Sequence, residues 1–168
     1  DSFLTEFIRY NNWANAEIIA LLKTLTPEQL AASAPGTYGS IHATLGHLIS
    51  AEADYIQRIT GAAPVPSFRW QDGPSIDAIA DFAAQLAPAW LEIIQRVPQE
   101  RMVHEGEDGY FMDYQARLLF LQVVNHGIEH RVNITTVLAA HNVPTPELDG
   151  WGYLAAHGEV FGLKEGRL

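Results

Sequence analysis

The sequence predicts an all-α fold, and three observations support that prediction. Apolar residues recur at steps of three and four along four long segments, which is the period of one helix face. Serine or threonine precedes several of these segments, and glycine or proline follows them. The composition, 48% hydrophobic and 18% charged over 168 residues, is typical of a globular protein of one-domain size. We therefore expect a single helical domain over residues 1–168.

The N-terminal quarter of the chain predicts two helical starts after the first helix. That first helix is expected from Ser2 to about Leu25, because apolar side chains repeat on one face. Thr26 followed by Pro27 is typical of an N-cap with proline at the first helical position, so a short helical turn starts there. Ser40 is expected to cap the second long helix.

The middle of the chain predicts a loop and a bent helix. Gly61 ends the second long helix, and residues 62–74 contain three prolines without a sustained period. A loop of that length indicates a crossover between helices. Ser75 is expected to cap a third long helix, in which Pro88 removes a backbone hydrogen bond and predicts a kink near Ala84.

The C-terminal part predicts a connection, a central helix and a tail. Residues 101–113 hold two glycines and mixed charge, which favours an extended connection or a short hairpin. A helix is expected from Tyr114 to His141, and because it is apolar on more than one side it should be central and buried. Residues 147–168 predict a tail with a short helical segment packed on the bundle.

Composition also restricts the function. The net charge of -10 repels phosphate backbones and anionic lipid headgroups, so neither nucleic acid nor a membrane is an expected partner. The absence of cysteine excludes disulfides, thiolate zinc sites, iron–sulfur clusters and an internal thiol nucleophile. Any metal must therefore bind to His, Asp or Glu. No apolar run approaches the length of a membrane span and no signal-like segment opens the chain, so we expect a cytoplasmic protein.

A pair of histidines in the last long helix predicts a metal site. His126 and His130 are four residues apart, which places their Cβ atoms about 6 Å apart on one helix face. Their neighbours on that face are apolar, and an unsatisfied imidazole there is costly, whereas one ion satisfies both. His47 is the best candidate for a third ligand, because it lies at the edge of the apolar stripe beside small residues.

Other ionisable residues are weaker candidates. His42 falls on nearly the opposite side of its helix from His47, and the remaining histidines lie in or near loops, where they are expected at the surface: His104, His141 and His157. Glu129 can flank the metal or face a partner. Three imidazoles without a fourth protein ligand leave a coordination position open, as in catalytic sites. Histidine suits several metals, of which zinc is the default and nickel the close rival.

Four segments resemble the DinB-like family of metalloenzymes along nearly the whole chain. They read YNNWAN at residues 10–15, SIHATLGHL at 40–48, NHGIEHR at 125–131 and PELDGWGY at 146–153. The resemblance implies a four-helix bundle with a long crossover connection, a divalent ion on His47, His126 and His130, and a homodimer. Asn133 departs from the glutamine that relatives often carry, which removes the basis for transferring a role to it. Aromatics at helical spacing are expected to pack between helices, and Asp149 to act as a cap or loop anchor.

The resemblance also implies a class of activity. Characterised relatives include thiol-dependent S-transferases and isomerases, in which the metal activates a small thiol such as bacillithiol or mycothiol. That chemistry suits a chain without cysteine, and it predicts a small-molecule, electrophilic substrate. The sequence identifies neither catalytic nor cofactor-binding residues for it. Two alternatives stay open: a metal-dependent hydrolase, and a non-catalytic bundle that the metal stabilises.

Overall fold

The computed structural model describes residues 2–64, 69–107 and 109–158, and it is mostly helical. Within these residues the helices are α1 (Phe3–Leu22), α2 (Pro27–Leu30), α3 (Ile41–Thr60), α4 (Ile76–Arg96), α5 (Arg117–Ala140) and α6 (Gly150–Ala156). Two strands, β1 (Met102–Glu107) and β2 (Tyr110–Gln115), and a 3₁₀ turn at Trp70–Asp72 complete the described elements.

The helices begin where short polar side chains satisfy free backbone N–H groups. The side chain of Ser2 accepts a hydrogen bond from the Thr5 N–H, and Ser40 and Ser75 act in the same way for α3 and α4. At α2, Thr26 forms a reciprocal capping box with the residue at N3. Gly61 ends α3 in the left-handed conformation at φ 81°, which glycine adopts without strain. These starts and this stop confirm the predicted positions.

The four long helices form a bundle in which each packs against two neighbours. Helix α3 packs against α5 and α4, and α1 packs against α4 and α5, so the order around the bundle is α1, α4, α3, α5. The core between them is apolar, with Trp90, Leu45, Leu48 and Ile18 wholly buried. Sequential helices α1 and α3 are therefore diagonal, as are α4 and α5. Helices α3 and α4 are neighbours and run parallel, because His42 near the start of α3 contacts Pro74 just before α4 and Gly46 lies against Trp70. This arrangement confirms the crossover predicted at 62–74.

Several predicted boundaries need correction. Helix α1 ends at Leu22 rather than near Leu25. The hairpin prediction is confirmed, but β2 extends to Gln115, so α5 begins at Arg117 and not at Tyr114. The aromatic Tyr114 continues the alternating strand pattern, paired with Val103 of β1. The loop prediction for 62–74 missed the 3₁₀ turn, and residues 65–68 of it lie outside the described part.

Helix α5 is less buried than its sequence predicted. Its inward residues, such as Val123 and Ile134, are fully buried, but Leu118, Leu121 and Val132 are about half to two-thirds exposed. An apolar residue off the main stripe faces solvent here because the bundle covers only one side of the helix. One face of α5 therefore packs in the bundle, and the opposite face is exposed to solvent.

The remaining predictions of the fold concern α4 and the tail. Pro88 lies inside a continuous α4, and the bend near Ala84 stays a prediction. In the tail, α6 packs Tyr153 edge-on against Tyr10 and Trp13 of α1, which confirms that helix-packing role; residues 159–168 lie outside the described part. No helix among the described residues has the length and apolarity that crossing a membrane requires.

Candidate metal centre

The structure brings together the three histidines that the sequence singled out. His126 and His130 project from one face of α5, and His47 projects from the neighbouring helix α3. The Nε2 atom of His126 lies 3.0 Å from Nε2 of His130 and 3.2 Å from Nε2 of His47. One ligand atom from each residue fits within 4.8 Å of the other two. Among the described residues, no carboxylate belongs to this cluster.

The electrostatics of the cluster keep its imidazoles neutral. Burial, with smaller contributions from His130 and His47, lowers the pKa of His126 from 6.5 to about 4. Burial also lowers the pKa of His47, against the opposing charge of Asp54, and it lowers that of His130. A neutral imidazole has a free lone pair on one nitrogen, which is the form that binds a metal.

The geometry of the cluster fits one ion. Two nitrogens that each bind the same zinc at about 2.1 Å stand about 3.0 to 3.4 Å apart at bond angles between 90° and 109°. The two measured separations, 3.0 and 3.2 Å, lie within that interval. The Nε2 atoms face inward, and Nδ1 of His126 and of His130 is buried without a hydrogen-bond partner in the described part of the chain. Three inward lone pairs therefore match the donor set of an open histidine site.

Aromatic side chains contact two of the clustered histidines, His47 and His126. The Tyr38 ring stacks on His47 at 4.4 Å and 14°, and the Trp70 ring meets it edge-on at 6.0 Å. Tyr55 of α3 lies edge-on to His126, with 5.9 Å between ring centroids. Sequence reasoning passed over Tyr38 and Trp70, because both lie in connections that carry no periodic signal.

The other predicted histidines lie away from the cluster. Nε2 of His42 is 2.7 Å from the Pro74 carbonyl, which it contacts as a donor. His104, His141 and His157 are exposed, as expected. Glu129 is exposed on α5 and is not part of the cluster.

A buried polar network beside the cluster escaped the sequence analysis. Nδ2 of Asn11 and of Asn15 each donate a hydrogen bond of 2.8 Å to Oε1 of Glu52, which is 2% exposed. Nη1 of Arg131, also 2% exposed, donates to Oδ1 of both asparagines at 2.9 and 2.6 Å. The two asparagines thus bridge a buried carboxylate and a buried guanidinium. The sequence feature that could have revealed this network is Glu52, a glutamate within the apolar stripe of α3.

This network joins the two helices that carry the histidines. Glu52 belongs to α3, Arg131 directly follows His130 on α5, and the bridging asparagines come from α1. Gly127 permits the close approach, because a Cβ there would lie 2.3 Å from Oδ1 of Asn11. Burial raises the pKa of Glu52, while the amide donors and Arg131 act in the opposite direction. The network therefore fixes α3 and α5 relative to each other through α1.

Asp149 and Asn133 each accept one hydrogen bond from a backbone N–H group. Asp149 is the N-cap of α6, where its Oδ1 accepts a hydrogen bond of 2.9 Å from the Gly152 N–H, as predicted. Asn133, the departure from the family pattern, accepts a hydrogen bond of 2.8 Å at Oδ1 from the Tyr38 N–H. It holds the connection that carries Tyr38 against α5.

The lowered histidine pKa values predict how the stability of the metal-free protein depends on pH. In the unfolded chain these histidines titrate near pH 6.5, whereas His126 titrates at about 4 when folded. As pH falls from about 6.5 towards 4, the histidines of the unfolded state become protonated while His126 of the folded state stays neutral. The free energy of unfolding therefore decreases in that window. Urea unfolding between pH 7 and 5 should show this loss in the parent and a flatter profile in His126→Gln/His130→Gln. Equal slopes in the two proteins would contradict the assignment.

A four-helix bundle with three histidines converging from two adjacent helices defines a class of small helical proteins with a candidate metal centre. The sequence profile of the DinB family matches residues 1–159, and the chain therefore belongs to the DinB family.

Individual relatives agree with this assignment. Protein DinB of Bacillus subtilis (strain 168) is 26% identical over 145 residues, which cover 81% of this chain and 84% of that protein. The crystal structure of a DinB-like protein from Bacillus cereus ATCC 10987 superposes with a TM-score of 0.61 at 20% identity, over 83% of this chain and 93% of that one. YfiT from Bacillus subtilis, described as "a probable metal-dependent hydrolase with an unusual four-helix bundle topology", gives a TM-score of 0.62 at 14% identity, over 86% and 91%. The two structures support the fold.

Proposed function

We propose that this chain binds one divalent metal ion through Nε2 of His47, His126 and His130 and is a metal-dependent enzyme. The observation that carries the proposal is the convergence of three neutral imidazoles, with Nε2 of His126 at the spacing that one ion requires from both His47 and His130. The all-nitrogen donor set suits zinc and nickel, the two metals we propose. Without a fourth ligand from the described residues, the site keeps a position for a small molecule.

Within this class we favour transfer of a small thiol to an electrophile. When bound, a divalent ion lowers the pKa of a ligating thiol, as it does that of water. The chain has no cysteine, so the nucleophilic sulfur comes from a low-molecular-weight thiol cofactor. In the reaction a sulfur–carbon bond forms, the bond from that carbon to its leaving group breaks, and the thiol proton passes to solvent.

The protein's own residues contribute position and environment to this reaction. The buried network of Glu52, the two asparagines and Arg131 keeps α3 and α5 in register, so the three imidazoles stay oriented towards one point. Burial of His126 and His130 excludes water from one side of the cluster. Glu52 is already engaged in the network, which leaves it unavailable as a base at the cluster.

Metal-dependent hydrolysis is the second candidate, and the similarity of fold to YfiT favours it. Hydrolysis needs a group that takes a proton from the attacking water. The carboxylates whose charge raises the pKa of a cluster histidine, Asp54 and Glu129, are both exposed, and no hydrogen bond joins either to a cluster imidazole in the described part of the chain. A thiol, with an ordinary pKa of about 8.5, loses its proton far more readily than water does without such a base, so thiol transfer ranks first.

An activity comparison separates the two candidates. Protein loaded with zinc or nickel is mixed with 1-chloro-2,4-dinitrobenzene and one of three thiols, N-acetylcysteine, glutathione or bacillithiol, and separately with 4-nitrophenyl acetate without thiol. Conjugation that requires both thiol and metal, and that is lost in His126→Ala/His130→Ala, supports thiol transfer. Ester hydrolysis with the same metal dependence and no conjugation supports the hydrolase instead, and metal binding without either reaction indicates a structural ion.

We also propose that two copies of this chain associate through the outer face of α5. That face exposes Leu121 and Ile128 beside Phe7 of α1, and a shallow cavity of about 230 Å³ lies among them. Such a contiguous apolar surface favours burial against a second molecule. Light scattering should give the dimer mass for the parent and the monomer mass for Leu121→Glu/Ile128→Glu. Phe111→Glu, at an exposed position of the hairpin, is the matched control and should stay dimeric; a monomeric parent would refute the proposal.

A further inference from the structure

Tyr38 contacts two of the three clustered histidines although it lies outside the bundle. Its ring is parallel to His47 and edge-on to His130, with 5.0 Å between the centroids of the latter pair. The side chain is nevertheless 46% exposed, so a large part of its aromatic surface remains in contact with solvent. An aromatic ring that is held against candidate metal ligands and still open to solvent can contact a molecule bound there.

Trp70 approaches the same point from a different connection. It lies in the 3₁₀ turn before α4, and its ring meets Tyr38 at 64° with 6.5 Å between centroids. Gly46 makes this position possible, because a Cβ at Gly46 would lie 2.9 Å from Cβ of Trp70. The rings of Tyr38, Trp70 and His47 thus contact one another and form a corner of aromatic surface.

Both connections are fixed to the bundle by hydrogen bonds from residues that have no other assigned role. Asn133 of α5 accepts from the Tyr38 N–H, and its own Nδ2 donates 2.7 Å to the Glu129 carbonyl one turn earlier. On the other side, Nε2 of His42 contacts the Pro74 carbonyl at 2.7 Å, close behind the Trp70 turn. The corner is therefore preformed, which reduces the entropy lost when a ligand binds.

We propose that Tyr38 and Trp70 form a recognition slot beside the three-histidine cluster, and that the slot binds a flat, uncharged aromatic or conjugated group of the molecule whose donor atom reaches the metal. This inference rests on the metal-binding part of the proposed function, and it adds the class of substrate. It holds for either candidate reaction.

The chemistry of the slot selects this class of ligand. Rings that meet at 64° offer one face for stacking and one edge, which suits a planar group better than a puckered one of equal size. Tyr38 and Trp70 offer aromatic surface rather than an ionic partner. Among the described residues, the exposed acids whose charge acts on the cluster are Asp54 and Glu129, which disfavour an anionic tail, while a divalent ion on neutral imidazoles disfavours a cationic one.

The test compares two ligands with one metal-binding group and different rings. Benzohydroxamate and cyclohexanecarbohydroxamate are titrated into the cobalt-loaded protein, and the visible absorption of Co²⁺ reports binding. The parent should bind the planar ligand about three- to tenfold more tightly, the range expected for one aromatic pair. Tyr38→Leu and Trp70→Leu should bring the ratio close to one. Tyr38→Phe keeps the ring and should keep the ratio, as should Trp151→Leu, which removes an aromatic 72% exposed on α6.

The possible outcomes separate the slot from the function on which it rests. Equal affinities in the parent overturn the slot. So does a Tyr38→Leu protein that binds Co²⁺ more weakly with an unchanged ratio, because Tyr38 then only orients His47. A protein that binds no Co²⁺ overturns both proposals. Planar selectivity without any thiol conjugation supports the slot while removing the thiol cofactor. Stoichiometric Co²⁺ in each variant verifies that it is folded.

Discussion

Replacing His126 and His130 together by alanine is expected to lower the metal content from about one ion per chain to the background level. Each imidazole supplies one of three ligands, and a single remaining histidine at His47 holds an ion no better than a surface residue does. We expect the affinity to fall by more than about a hundredfold, the upper range seen when only the supporting partners of ligands are removed. Elemental analysis of protein prepared without a histidine tag or chelator measures the change directly.

The matched control for this variant removes the same number of histidines elsewhere. His104 and His141 are exposed and belong to no cluster in the described part of the chain, so His104→Ala/His141→Ala should retain the metal of the parent. Zinc or nickel near one equivalent in the parent and control, but not in His126→Ala/His130→Ala, fits the proposal. Equal metal in all three proteins, or metal in none, would show that the cluster is not a metal site.

The sequence predicted the helix starts well because those signals are local. A capping side chain lies within three residues of the N–H group that it binds, as at Ser40 and Ser75. The start of α5 was predicted too early because its N-cap, Ala116, makes no capping hydrogen bond and Tyr114 in the preceding strand also fits an apolar pattern. Where no local signal exists, periodicity alone places a boundary only approximately.

The histidine cluster was predictable for a similar reason, and its surroundings were not. The pair on α5 is fixed by helical spacing, and His47 was chosen by its place on an apolar stripe. By contrast, the bonds of Asn11 and Asn15 to Arg131 join residues more than a hundred positions apart, and they depend on how three helices are rotated. The positions of Tyr38 and Trp70 beside the cluster depend on the paths of irregular connections. Spacing along the chain carries no information on either.

The second large effect is expected from Glu52→Gln, which removes one charge from the buried network with little change in volume. The amide oxygen can still accept from Asn11 and Asn15, but the substitution leaves the Arg131 guanidinium buried without a compensating negative charge. Removing one partner of a buried ionic pair costs about 3 to 5 kcal/mol. For a chain of this size that corresponds to a decrease of roughly 6 to 20 °C in the melting temperature. Calorimetry and urea unfolding measure both quantities.

The controls for Glu52→Gln distinguish a specific network from a general effect of lost charge. Asp54→Asn changes an exposed acid two residues further along α3 and should alter stability by less than about 0.5 kcal/mol. If the two charges stabilise each other, Glu52→Gln combined with Arg131→Met should cost less than the sum of the two single changes. Additive losses, or a Glu52→Gln protein as stable as Asp54→Asn, would show that the bridging asparagines do not couple these charges. Non-additivity would establish that one buried network holds the histidine-bearing helices α3 and α5 together.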